Sequence, residues 1–257
     1  ISIWLTANVD IFIVGTMLNQ YYLGLYKTSM VTVNQIMHLV TSATTPVLFS
    51  SLSRLQNDRQ IFEKTFFTFQ RYVAILVLPM GVGIFLFRDL ITHVLLGDQW
   101  FEAADFIGLW GLTSALLIVM SHYCSEIYRA LGRPKLSVLA QVLHIVVLWP
   151  TVLIAVKYGF EVLYISRSIV RLESIIVNLI IVYFVINISP WKMVKNISQP
   201  LIATLAMSSV AVLLLMLNDN LWWKWGIIAI CVVVYFAVIM LFPSEREIVK
   251  KYLFKRS

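Results

Sequence analysis

The chain has 257 residues, 60% of them hydrophobic and 13% charged, with a mean hydropathy of +0.86 and a formal net charge of +7. That much apolar side chain exceeds what a soluble domain of this length can bury, which excludes an ordinary water-soluble enzyme or binding module. No DNA- or RNA-binding motif accompanies the basic charge, so a nucleic-acid partner is not expected.

Eight apolar stretches follow one another, at residues 1–21, 27–49, 62–87, 103–128, 136–156, 160–186, 197–217 and 222–242. About 20 residues at ~1.5 Å rise cross the ~30 Å hydrocarbon core. The pattern therefore predicts an all-α polytopic membrane protein with eight transmembrane helices. A β-barrel is the other way to satisfy backbone groups in lipid, but continuous runs such as 210–217 and 227–234 lack the alternation of a barrel strand.

In chain order, the first predicted helix carries Thr6 and Asp10, and the second carries Asn34, His38, Thr41 and Thr45. The third has Gln70 and Arg71 near one end, with Pro79, Gly81 and Gly83 as points where it can bend. Residues Arg88 to Trp100 are expected to rest at the membrane interface. Ser114, Ser121, Ser125 and Arg129 stripe the fourth helix, and Ser137, Gln141 and His144 the fifth. The sixth aligns Tyr164, Arg167, Arg171, Ser174 and Asn178 on one face, with Glu173 pointing more to the side. The seventh has hydroxyl residues but no charge, and the eighth has only Cys231 and Tyr235 inside its apolar run. These stripes predict a six-helix transporter lobe over 1–187 enclosing a polar cavity, two accessory transmembrane helices over 188–243, and a basic tail over 244–257. In the tail, Ser244 and Glu247 have capping-box spacing ahead of an amphipathic turn.

Charge placement sets the expected orientation, since Lys and Arg concentrate in cytoplasmic loops. Alternate connections hold Arg54, Arg59, Lys64 and Arg71, then Arg129, Arg133 and Lys135, then Lys192 and Lys195, with five more basic residues after Phe242. The opposite loops hold only Lys27, Arg88, Lys157 and Lys224. Both ends of the chain are expected in the cytoplasm. The chain starts at Ile1 with no initiator Met or leader-like region, so an upstream membrane portion is expected.

Ionisable residues inside a membrane helix cost at least ~2.5 kcal/mol each and are expected to face protein or a cavity. Arg171 lies about 16 Å into the sixth span at ~1.5 Å per residue. Arg167 and Arg171, one turn apart, predict an anion-attracting cavity. Tyr164, Asn178, Asn34, His38, Gln141 and His144 are its candidate hydrogen-bonding lining. Asp10 fits either a structural pair or a cation or proton site. Glu126 can pair with His122 four residues away, and Glu173 with a group on a neighbouring helix. Cys124 and Cys231 have no metal-ligand spacing and read as buried thiols. No Walker A loop is present, and neither a metal nor a cofactor is expected.

Three runs carry a family likeness: Thr45-Pro46-Val47-Leu48-Phe49-Ser50-Ser51-Leu52-Ser53-Arg54-Leu55, then Leu95-Leu96-Gly97-Asp98-Gln99-Trp100 followed by Ala103-Ala104, and Ser125-Glu126-Ile127-Tyr128-Arg129-Ala130-Leu131-Gly132-Arg133-Pro134-Lys135. In this order and spacing the chain resembles bacterial polysaccharide flippases of the multidrug, oligosaccharidyl-lipid and polysaccharide exporter superfamily. The resemblance implies two six-helix lobes around a central cavity, of which this chain is the second lobe plus the accessory pair. It also implies flipping of a polyprenyl-diphosphate-linked oligosaccharide across the bacterial plasma membrane, coupled to protons or sodium with Asp10, Glu126 and Glu173 as the candidate ion-coupling residues, and with membrane lipids and polysaccharide polymerase machinery as partners. Two other classes stay open, a cation-coupled multidrug exporter and a membrane-embedded enzyme acting on lipid-linked sugars.

Overall fold

A computed structural model describes residues 2–218 and 220–243, with side chains from Asp10 onward. Among them every regular element is helical, and the order is α1 (Ser2–Met17), α2 (Gln20–Arg54), α3 (Arg59–Leu86), α4 (Arg88–Leu96), α5 (Ala104–Leu117), α6 (Cys124–Ala130), α7 (Lys135–Ala155), α8 (Phe160–Ile181), α9 (Pro190–Asn196), α10 (Ser198–Leu215) and α11 (Leu221–Met240). A 3-10 turn at Asp98–Ala103 leads into α5, and a π turn at Ile118–His122 joins α5 to α6, so residues 98–130 make one nearly continuous rod. The Thr6 side chain and the expected tail helix over 244–257 lie outside the described residues.

Among the described residues, six helical stretches are long and apolar enough to cross a membrane: Arg59–Leu86, Asp98–Ala130, Lys135–Tyr158, Phe160–Ile186, Ser198–Leu215 and Leu221–Met240. The first two of the eight expected spans differ from these for separate reasons. Helix α1 is 16 residues long, and α2, at 35 residues, is diluted by Ser and Thr along its whole length. The segment expected at the interface forms α4 and the 3-10 turn, where Arg88 Nε donates to Asp105 at 2.7 Å and His93 hydrogen bonds with Asp98.

Local chemistry sets the boundaries. The Asn19 side chain accepts from the Tyr22 N–H to open α2, and the Asp58 side chain accepts from the Ile61 N–H to open α3. Gly159, at φ 99°, lets the chain reverse between α7 and α8 where a side chain would be strained.

The main core joins α2, α3, α5, α6 and α8, with Tyr26, Phe66, Phe106, Trp110, Tyr123 and Tyr128 buried at its centre. Helices α3 and α5 approach so closely that a Cβ on Gly81 would stand 2.2 Å from the Ala115 Cβ, and one on Gly111 would stand 2.4 Å from Ile84. Small residues of this kind supply the close backbone packing that membrane helices use in place of a hydrophobic driving force.

Helices α10 and α11 form a second apolar cluster on the far side of α3, including Ile75, Phe87, Met207, Ile227, Cys231 and Tyr235. Pro79 has no N–H, so it cannot donate to the Ile75 carbonyl four residues earlier. The Tyr235 hydroxyl donates to that carbonyl at 2.6 Å. The two polar-capable residues of the eighth apolar run, Cys231 and Tyr235, thus mark the face of α11 turned toward α3.

Candidate functional site

A cavity of about 600 Å³ lies among α1, α2, α5, the π turn, α6, α7 and α8. Arg167, Arg171, Asn178, Asn34, Gln141 and His144 all line it, which brings six of the eight expected lining residues together. Helix α3 contributes no lining residue because it packs behind α5, and α10 and α11 contribute none.

The two arginines of α8 have different partners. Arg167 is buried, and its Nε donates to Asp10 Oδ2 at 2.6 Å across to α1. The Tyr26 hydroxyl donates to the same oxygen at 2.9 Å. Asp10 is thereby neutralised and bonded, as a carboxylate placed in an apolar bundle requires. One Arg167 donor, Nη1, is buried with no hydrogen-bond partner among the described residues.

Arg171 has no carboxylate partner within ion-pair distance among the described residues. Its Nη1 donates to Ser114 Oγ at 2.9 Å, and its guanidinium carbon sits 3.6 Å from the Trp110 ring centroid. Arg167 lies 5.1 Å from the same ring. An indole within reach of two guanidinium groups attracts both through its negative π face and offsets part of the repulsion between the two like charges. Trp110 Nε1 in turn donates to Asn34 Oδ1 at 3.1 Å, fixing the ring from α2.

Further along α8, Asn178 Nδ2 donates to Ser121 Oγ at 2.9 Å, and the Tyr128 hydroxyl donates to Asn178 Oδ1 at 3.0 Å. His144 Nδ1 and Glu173 Oε2 are 2.9 Å apart, so the neighbour that Glu173 meets is a histidine on α7. Glu126 pairs with Arg129 at 3.0 Å rather than with His122, whose Nε2 lies 3.4 Å from Thr45 Oγ1. Each of the three acidic candidates, Asp10, Glu126 and Glu173, is in an ion pair or hydrogen bond.

Tyr164 and His38 are placed elsewhere. The Tyr164 ring stacks on Phe106 at 5.5 Å and meets Phe160 edge-on at 5.5 Å, in an aromatic cluster that continues through Phe106 to Trp110. His38 is on an exposed face of α2 outside the cavity lining. Trp110 and Tyr26 are the site residues that sequence reasoning missed. Trp110 stands one turn before Ser114 on the α5 stripe, and that spacing was the available signal.

The charge of the lining is one-sided. Lys27, Arg167 and Arg171 line the cavity, and no Asp or Glu does so among the described residues. A wall of this kind, with amide and hydroxyl groups beside the cations, suits an anionic group carried by a hydroxyl-rich molecule. No cluster of His, Cys, Asp and Glu able to hold a metal ion occurs among the described residues.

A family described as "Polysaccharide biosynthesis protein" matches residues 1–105 of the chain. The chain is also similar to the teichuronic acid biosynthesis protein TuaB of Bacillus subtilis (strain 168), with 19% identity over 209 residues, which cover 80% of this chain and 43% of that protein. It therefore spans less than half the length of the curated relative it matches. No solved structure matches. With the six apolar helices among the described residues, the two matches point the same way as the sequence motifs: the chain is a helical membrane protein similar, over residues 1–105, to a polysaccharide-biosynthesis family and, more distantly, to TuaB.

Proposed function

We propose that the chain is the second lobe and accessory pair of a flippase that moves a polyprenyl-diphosphate-linked oligosaccharide across the bacterial plasma membrane by alternating access. The observation that carries this reading is Arg171, a cavity-lining cation with an indole and a serine as partners but no carboxylate among the described residues. Arg171 and the spare Nη1 of Arg167 would receive diphosphate oxygens, while Asn34, Gln141 and Asn178 would meet sugar hydroxyls. The polyprenyl tail stays in lipid. The chain acts as a transporter rather than an enzyme, and hands its cargo to polysaccharide polymerase machinery.

In this reading α1 and α2 also cross the membrane, which gives eight spans with both ends in the cytoplasm. Residues 1–187 form the lobe, 188–243 the accessory pair and 244–257 a basic cytoplasmic tail. Glu173 is the best placed of the coupling candidates, because its partner His144 is titratable and lines the cavity. A multidrug exporter that takes cationic amphiphiles would need acidic groups in this wall, and the described lining has none.

The test is a reconstituted full-length protein supplied with a fluorescent polyprenyl-diphosphate-linked sugar in one arm and a cationic dye in the other. Translocation of the lipid-linked sugar alone is expected. Translocation of the dye alone would replace this reading with the drug exporter.

A further inference from the structure

A second cavity of about 650 Å³ opens between α3, α9 and the start of α10, and it shares no lining residue with the first. Lys64, Arg71, Lys192 and Lys195 line it, together with Tyr72 and Asn196, and no described carboxylate does. The three lysines around this hollow repel one another, and an anion relieves that repulsion.

The hollow has a rigid frame. Asn196 at the end of α9 donates through Nδ2 to the Phe67 carbonyl at 2.7 Å and to Gln70 Oε1 at 3.1 Å. The same side chain accepts from Arg71 Nη2 at 3.1 Å. These bonds tie α9 to α3 and hold the lysines of one against the arginine of the other. Met193 and Ile197 anchor α9 in the core, whereas Trp191 is 73% exposed beside the cavity. A short helix with a buried apolar edge, an exposed Trp and lysines is built for the membrane–water boundary.

We propose that this hollow binds the phosphate of an anionic membrane phospholipid, seated where α3, α9 and α10 meet the headgroups on the side of the basic loops. The lysines contact the phosphate, Trp191 and Tyr72 sit at headgroup depth, and the acyl chains run down the apolar outer surface of α10. The bound lipid fastens the accessory pair to the lobe at their shared end. This rests on the membrane reading of the helices and not on the identity of the transported molecule.

The test is lipid retention by the purified full-length protein, measured by native mass spectrometry with phosphatidylglycerol and phosphatidylcholine offered together in neutral detergent. Wild-type protein is expected to retain phosphatidylglycerol in preference to phosphatidylcholine. Each lysine removed should weaken retention about fivefold, the worth of one basic residue near an anionic surface. A Lys64→Gln, Lys192→Gln, Lys195→Gln variant should lose the preference, and the corresponding triple arginine variant should keep it. Equal retention by the glutamine and wild-type proteins would overturn the proposal, as would a wild type that shows no preference. Displacement of phosphatidylglycerol by an equal concentration of inorganic phosphate would overturn the lipid assignment in favour of a soluble anion. None of these readouts depends on transport, so a failed flipping assay leaves the result intact.

Discussion

Asp10 and Arg167 meet at 2.6 Å inside the bundle although 157 residues separate them in the chain. Their bond closes α8 onto α1, and Tyr26 completes it from α2. Removing one partner leaves a buried charge without its counter-ion, which costs about 3–5 kcal/mol. Asp10→Ala and Arg167→Ala should therefore each lower thermal stability in detergent markedly. The double variant should lose much less than the sum of the two. Additive losses in this cycle would mean that the pair is not coupled.

Tyr235 supplies the donor that Pro79 withholds from the Ile75 carbonyl. Tyr235→Phe should cost about 1–3 kcal/mol, the penalty of a buried acceptor left unsatisfied. In a Pro79→Ala background the restored N–H can reach Ile75, and there Tyr235→Phe should be nearly neutral. An unchanged penalty in that background would show that the hydroxyl serves something other than the proline gap.

Much of this arrangement is legible in the sequence, and the parts that are not have a common cause. The 3.6-residue period alone puts Arg167, Arg171, Ser174 and Asn178 on one face, and all four line the cavity. Tyr164 shares the stripe but lies nearer the end of α8, where Phe106 and Phe160 take its ring. Trp110 escaped notice because an aromatic residue in an apolar helix reads as packing until its neighbours in space are known. The pairs Asp10 with Arg167 and Glu173 with His144 are tertiary facts, since no local spacing encodes a contact between distant helices. Hydropathy was least informative for α2, whose many Ser and Thr residues offset its length.

Gly81 faces Ala115 with no room for a methyl group, since a Cβ there would lie at 2.2 Å. Gly81→Ala should destabilise the α3 and α5 contact by about 1–3 kcal/mol, the usual cost of overpacking. Ala115→Gly should restore most of the loss, because it removes the opposing methyl. A Gly81→Ala protein that melts at the wild-type temperature would contradict this packing.

Orientation is open to direct labelling in intact cells. A cysteine replacing Lys192 should resist a membrane-impermeant thiol reagent, whereas one replacing Asp98 should react. The reverse pattern would invert the topology drawn from the basic residues.

In the proposed flippase Arg171 faces an anionic cargo while Arg167 is held by Asp10, and the two roles separate in one measurement. Translocation of the lipid-linked sugar by full-length Arg171→Ala protein, normalised to its abundance in the membrane, tests it most directly. Loss of translocation at near-normal abundance is expected, with partial activity in Arg171→Lys, which keeps the charge but not the planar guanidinium. An abundant Arg171→Ala protein that flips its substrate at the wild-type rate would contradict the account.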